Sequence, residues 1–440
     1  MVDQLNRLLL EAIPPSKKVL ELGCSAGSLG QRYKELNPSA NWYGVDIDAP
    51  SLEAASKRLD RVWLADLDSV DVATFEGGYD CVVAGEVLEY LKAPERLLLA
   101  LARITTADAK LVCCIPNMAH ISILERMLMG DLTYDADGLM DRTHLRFFSQ
   151  CAIFKVLLDS GWLPNFHGRY FVDHPNSELT ESLIACAGKL RVSRETAKRA
   201  FSTYKMILAC TKGQPSDTDT AIPLSVIVPV NSEIQFALNT ARSPGLMEIG
   251  AQIVPCRGAA SAADAFRQGR AQATGQWLIY CHQDVYFPVG SGFALSKLLA
   301  GVPPEQAERT LIGFAGVGTN SPSDPYARVF NAGLVIDRIH RLDCPAADMA
   351  VSLDEFAVVV HRDTRLEIDP SLGWHLWATD LCLAAMHSQP LLFPRVVRIP
   401  LYHNSLSGYA LPSAYHESAT RLAAKYPNMK GIRSLFGPVS

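Results

Sequence analysis

Val19-Leu-Glu21-Leu-Gly23-Cys24-Ser-Ala-Gly27-Ser-Leu-Gly30 decides how the first half of this 440-residue chain folds. A short, mostly apolar run from Val19 to Leu22 stops at Gly23, and a segment able to start a helix follows. This is the pattern of a buried strand that turns tightly into a helix while its backbone passes close to a ligand. A Cβ would block that approach, and the helix start presents unpaired N–H groups to a polar ligand. On its own the loop does not say which ligand.

The next segments narrow the choice. Asn41-Trp-Tyr-Gly-Val45 reads as a second strand and ends at Asp46-Ile47-Asp48. An acid about 20 residues beyond the glycines accepts hydrogen bonds from both ribose hydroxyls of a nucleoside, a spacing that fits NAD and S-adenosylmethionine alike. Three details favour the second. The loop opens Glu21-Leu-Gly23-Cys24 rather than with the strict Gly-x-Gly that a pyrophosphate needs. Asp66, in Leu64-Ala-Asp66-Leu67-Asp68, stands where a third strand would end, suited to an adenine amino group. Tyr79-Asp-Cys-Val-Val-Ala-Gly-Glu86-Val-Leu-Glu-Tyr90-Leu91 then reads as a fourth buried strand running into a helix.

From Val19 to about Phe148 the chain resembles the class I S-adenosylmethionine-dependent methyltransferases. The resemblance narrows at Pro116-Asn117-Met-Ala-His120 and at Gly138-Leu-Met-Asp141-Arg142-Thr143-His144-Leu-Arg146-Phe147-Phe148. These strings look like a methyltransferase subfamily often met in polysaccharide and natural-product gene clusters. It implies a Rossmann-like sheet and S-adenosylmethionine as cofactor, held by Glu21, Gly23, Cys24, Gly27, Asp46, Ile47, Asp66, Leu67 and Glu86. His144 and His120 are the candidate catalytic residues, and for each a structural role in fixing its loop reads as well as a base. Tyr90 stands where the subfamily usually has histidine, which removes one base.

Length and composition ask for more than one such unit. A chain of 440 residues exceeds a single ordinary core. With 48% hydrophobic and 20% charged residues it has the make-up of a globular protein. A net charge of -5 offers no bulk attraction for nucleic acid, and the Asn/Asp-Pro-Pro-Tyr type motif of base-amino methyltransferases is missing. Eleven cysteines lie mostly in apolar runs without a C-x-x-C pair, which suits buried thiols in a reducing compartment. No basic-then-apolar leader opens the chain and no apolar run reaches the ~18 residues of a membrane span, so the expected setting is cytoplasmic with no transmembrane segment.

After Phe148 the sequence predicts a helix over 151–161, polar irregular chain through Asn176, a helix over 193–201 and a last buried strand over 205–211. Lys212 to Thr220 has the glycine, proline and polar content of a linker. The expected domains are therefore 1–212, a linker at 213–222, and 223–440.

Beyond the linker, Pro223-Leu-Ser-Val-Ile-Val-Pro229-Val and Ala251-Gln-Ile-Val-Pro255 read as strands, with a helix over 261–273. Gly275-Gln-Trp-Leu-Ile-Tyr280 is a third strand, running into Cys281-His282-Gln283-Asp284-Val-Tyr-Phe-Pro288. This order resembles the glycosyltransferase A fold, and more narrowly a subgroup related to family-two glycosyltransferases. The whole chain is then expected to be α/β, a Rossmann-like methyltransferase sheet followed by a second α/β domain of the glycosyltransferase A fold. The resemblance implies a nucleotide-sugar donor, a glycan or lipid-linked glycan acceptor, no nucleic acid, and a divalent cation, Mn2+ or Mg2+, at Asp284 and His403. Such a cation neutralises the diphosphate leaving group. Only one carboxylate stands in this motif where many relatives have two. Asp380, in Trp374-His-Leu-Trp377-Ala-Thr-Asp380, is the candidate base toward the acceptor hydroxyl, with a helix cap as its structural alternative. Trp374 and Trp377 are core or sugar platform, and Arg267 stands where relatives have asparagine. The sequence thus reads as a bifunctional enzyme of surface polysaccharide or O-antigen-type synthesis. The alternative is a methyltransferase alone, with a catalytically silent glycan-binding C-terminal domain.

Overall fold

The computed structural model describes residues 2–172, 174, 176–213, 220–387, 394–407 and 411–439, with side chains from residue 7 onward. These residues divide into two compact units, one ending at residue 213 and one starting at residue 220, with residues 406–407 grouped with the first. Most of the linker expected at 213–222 falls on 214–219, outside the described residues.

In the first unit, β1 (Lys18–Leu22), β2 (Asn41–Asp46), β3 (Arg61–Leu64), β4 (Tyr79–Gly85), β5 (Thr105–Pro116), β6 (Trp162–Leu163), β7 (Phe166–Phe171) and β8 (Thr203–Lys212) make one sheet. Its order is β3-β2-β1-β4-β5-β8-β6, with β7 also paired to β8. The first five strands are parallel and β8 runs antiparallel to β5. Val19, Leu20, Leu22, Val82, Val83 and Ala84 are fully buried, as the unbroken apolar runs of a parallel sheet require. After β1 the chain steps outward to β2 and β3, then returns to β4 on the other side. The loops after β1 and β4 therefore diverge, and a crevice opens at the C-terminal ends of these two strands.

The polar stretch through Asn176 is not irregular: β6 and β7 lie within it, and a helix, Ser177–Lys189, follows. The reason is non-local pairing. His167, Gly168 and Arg169 make β7 look like a loop, but its partner β8 lies more than thirty residues further along and supplies the ladder bonds.

The second unit contains β9 (Leu224–Val230), β10 (Gln252–Arg257), β11 (Trp277–Cys281), β12 (Val285–Tyr286), β13 (Leu311–Gly313), β14 (Ala315–Thr319) and β15 (Val329–Asp337). It continues with β16 (Arg341–Cys344), β17 (Ala350–Leu353), β18 (Ala357–His361), β19 (Arg395–Val396) and β20 (Leu401–His403). One sheet runs β10-β9-β11-β18-β13-β19, and the other runs β12-β20-β15-β14-β17 with β16 on β15. β10, β9 and β11 are parallel, and the helix Ala262–Gln272 links β10 to β11. β11 then passes through His282 and Asp284 directly into β12 of the second sheet. The protein is thus α/β, with a Rossmann-like sheet followed by further mixed sheets.

Candidate functional sites

The crevice of the first unit is built on the glycine loop. Gly23 and Gly27 have φ of 64° and 76°, and a Cβ on Gly23 would come within 2.5 Å of Val87 Cγ2. Glycine is required there by conformation and by space. The Ser25 N–H donates to Asp46 Oδ2 at 2.7 Å, and the Asp48 N–H donates to Asp46 Oδ1 at 2.9 Å. These bonds fix the half-buried carboxylate at the end of β2, and each oxygen keeps a second lone pair. Ile47, 71% exposed, offers an apolar edge beside it. Asp66 lies exposed after β3 with half-buried Leu67 next to it, and its Oδ1 accepts from the Asp68 N–H at 2.9 Å.

Two of the expected contacts sit beneath the loop. Glu21 is buried, and its Oε2 accepts from Trp42 Nε1 at 2.7 Å. Burial pushes its carboxyl up to about 8, with the Trp42 bond working the other way. Glu21, expected to hold the cofactor, thus stands under the loop with its Oε2 bonded to Trp42. Cys24 is also buried, its N–H donates to the Val45 carbonyl at 3.1 Å, and burial pushes its thiol up to about 12. Cys24 ties the loop to β2 through its backbone.

On the β4 side Glu86 has φ 58° and pairs with Lys205 of β8, Nζ to Oε2 2.5 Å. Three residues on, Glu89 is 1% exposed and neither carboxylate oxygen has a hydrogen-bond partner among the described residues. Burial pushes this carboxyl up to about 8. The Asp141–Phe148 string folds against it: the Leu145 and Arg146 N–H groups donate to the Glu89 carbonyl at 2.8 and 2.9 Å. His144, Arg146, Phe147 and Phe148 line one tight slot with Glu89. The His144 ring stands edge-on to Tyr90, 4.9 Å between centroids.

His120 is elsewhere. It caps the helix Ile121–Met129 by accepting from the Ser122 N–H at 3.3 Å, and its Nε2 lies 3.0 Å from the Val172 carbonyl. Both ring nitrogens of His120 thus fasten backbone, the structural role read beside that of a base.

In the second unit the end of β11 meets β20. Val285 pairs with His403 across β12 and β20, and Asp337 pairs with His403 across β15 and β20. His403 Nε2 lies 3.5 Å from Asp284 Oδ1, and its Nδ1 lies 3.3 Å from Asp337 Oδ2. Burial opposes charge on Asp284, but His403 and His282 outweigh it and hold the carboxyl down to about 2. The structure thus brings together the two residues expected to hold a cation.

Asp380 does not join them. It is buried in the first turn of the helix Trp377–His387, where Oδ2 accepts from Lys425 Nζ and Oδ1 from the Tyr426 hydroxyl, both at 2.9 Å. Lys425 also bonds Asp369 at 2.8 Å. Both oxygens are engaged in an anchor that holds the helix, the structural alternative to an acceptor base. Trp377 is core, edge-on to Tyr280 at 4.8 Å, while Trp374 is half exposed. Arg267 pairs with Asp264 of its own helix at 3.0 Å. The residues that sequence reasoning missed are Glu89 and Asp337. The Glu86-Val-Leu-Glu89 spacing could have flagged the first, whereas Asp337 stands in no motif.

A family model described as "Methyltransferase domain" matches residues 20–111. An uncharacterised protein of Synechococcus sp. is 36% identical over 91 residues, 19% of this chain and 22% of that protein. The malonyl-[acyl-carrier protein] O-methyltransferase of Anoxybacillus flavithermus is 28% identical over 102 residues, 22% of this chain and 38% of that enzyme. The chain thus spans well under half the length of the curated relatives it matches. Among solved structures, a plantazolicin methyltransferase in complex with S-adenosylhomocysteine aligns with TM-score 0.32 and 13% identity, over 48% of this chain and 84% of that one. No helix among the described residues is long and apolar enough to cross a membrane. Within the first unit, built on Gly23, Asp46 and Asp66, residues 20–111 are a class I S-adenosylmethionine-dependent methyltransferase domain.

Proposed function

We propose that the first unit binds S-adenosylmethionine and transfers its methyl group to an oxygen, or another nucleophile, of a glycan or small molecule. The observation that carries this reading is Asp46, fixed by the Ser25 and Asp48 N–H groups at the lip of the crevice with acceptor capacity to spare. The cofactor, when bound, supplies a methyl group that is already activated. The work left to the protein is to orient and to exclude water. Asp46 takes the ribose hydroxyls and Asp66 the adenine amino group. The Glu86–Lys205 pair stiffens the wall between β4 and β8. Glu89 and His144 line one slot on the acceptor side.

For the second unit we infer a glycosyltransferase A-fold domain of the family-two kind. It binds a nucleotide sugar through a divalent cation at Asp284 and His403. The support is that Asp284 follows a strand of a parallel run, at the edge where α/β sheets collect phosphates and cations. The ion pair on Asp380 favours a second reading of this unit, a module that binds a glycan without transferring sugar. Either way, the joined units fit one surface polysaccharide or O-antigen-type glycan that is methylated during its assembly. The test is to incubate the full chain with methyl-labelled cofactor, a panel of nucleotide sugars, and glycan or lipid-linked glycan acceptors, scoring methyl and sugar incorporation separately. Both products support the bifunctional reading, and methylation alone supports the silent module. Neither product across the panel would sink the proposal.

A further inference from the structure

The cation reading of the second unit starts from one carboxylate and one histidine. The structure sets His282 of the same motif beside them and adds Asp337. One ligand atom each from His282, Asp284 and His403 lie within 4.8 Å of one another, and they are the one such cluster among the described residues. The two imidazole rings are 5.7 Å apart between centroids. The cluster is held by backbone from several strands. The His282 N–H donates to the Phe356 carbonyl at 2.9 Å, just before β18, and the Asn404 N–H donates to the Asp284 carbonyl at 2.9 Å. The Phe356 ring lies against His403 at 5.4 Å and restricts its rotation.

Asp337 completes the arrangement from β15. Its carboxylate is 3.3 Å from Nδ1 of His403, so the opposite nitrogen, Nε2, is the one turned to Asp284. A carboxylate on the far nitrogen of a histidine fixes the tautomer and aims the near nitrogen, the usual support behind a metal-ligating imidazole. His403, Asp284 and Asp337 keep 20%, 19% and 11% of their side chains exposed, so an ion can enter and retain solvent or phosphate ligands.

The donor set also sorts the metals. Magnesium is hard, prefers six oxygens and gives up water reluctantly. Two imidazoles and one carboxylate suit zinc, ferrous iron or their neighbours. The geometry points to a transition-metal site formed by His282, Asp284 and His403, oriented by Asp337 and selective for ions such as Zn2+ or Fe2+ over Mg2+. It deepens the cation reading given above and rests on it for the use of the ion.

The test uses the tag-free full chain, stripped by chelator and titrated with Zn2+, Co2+ or Mg2+ alone. One Zn2+ or Co2+ should bind per chain, at least ~100-fold tighter than Mg2+. His282→Gln and His403→Gln should each weaken binding at least ~10-fold. Asp337→Asn should weaken it about 10- to 100-fold and shift the visible bands of bound Co2+. Should a variant fail to fold, histidine modification of the wild-type chain gives the answer: bound Zn2+ should protect His282 and His403 from diethyl pyrocarbonate. Equal affinity for Mg2+, full Zn2+ affinity in His282→Gln, or unprotected histidines would overturn the site and leave His403 as a clamp between two carboxylates. Titration of the Zn2+-loaded chain with nucleotide sugars keeps the readings apart. Zn2+ bound without nucleotide sugar overturns the donor reading while the site stands.

Discussion

Glu89 and Glu21 are carboxyls the fold has taken out of water, and burial pushes each up to about 8. Their folded values lie above the ordinary carboxylate range, so the native state holds these protons more tightly than the unfolded chain. The stability they contribute is full below about pH 4.5 and is lost as pH rises through about 8, each carboxyl giving up about 1.4 kcal/mol per pH unit on the way. Glu89→Gln removes one of the two carboxyls without removing volume. Its melting temperature, measured against wild type, should therefore gain on the wild type steadily from pH 5 to pH 8.5, by roughly 5 °C or more. A gap that stays constant across that range would mean Glu89 is solvated. At the same scale Gly23→Ala should abolish binding of S-adenosylmethionine, because the new Cβ meets Val87 at 2.5 Å in a left-handed turn. Calorimetric titration of that variant checks it.

Among the elements, the helix Trp377–His387 depends on a pair whose partners are far apart in sequence. Lys425→Met leaves Asp380 buried with the Tyr426 hydroxyl alone, and should destabilise the second unit by about 2 kcal/mol in chemical denaturation. An unchanged midpoint would show that the pair is solvated and restore Asp380 as a free group. This helix also marks how far the sequence could be read. Gly23, Asp46 and Asp66 are legible because each stands at the end of its own strand or within two residues of it, so spacing alone puts them at one crevice. Asp380 was recognisable as a helix-start acid, but Lys425 and Tyr426, which take up its charge, lie 45 and 46 residues away. Asp337 was invisible for the same reason: only the β15–β20 pairing brings it to His403. β7 was missed because its ladder bonds come from β8. Burial of Glu89 could not be seen either, since nothing in Glu86-Val-Leu-Glu89 says which of the two acids faces the core.

For the molecule as a whole, the proposals above give the two units separate ligands. Hydrogen exchange should separate them. S-adenosylmethionine should slow exchange at residues 23–30 and 46–48, and Zn2+ should slow it at 282–286 and 401–404, each without effect on the other set. Protection that appears in both sets with one ligand would contradict independent sites. The claim beneath everything else is that Asp46 and the glycine loop form a cofactor pocket, and isothermal titration of the full chain with S-adenosylmethionine tests it without any knowledge of the acceptor. One molecule should bind per chain, weakened about tenfold or more by Asp46→Ala with the melting temperature of the free protein nearly unchanged. No binding to the wild-type chain, or full affinity in Asp46→Ala, would contradict it.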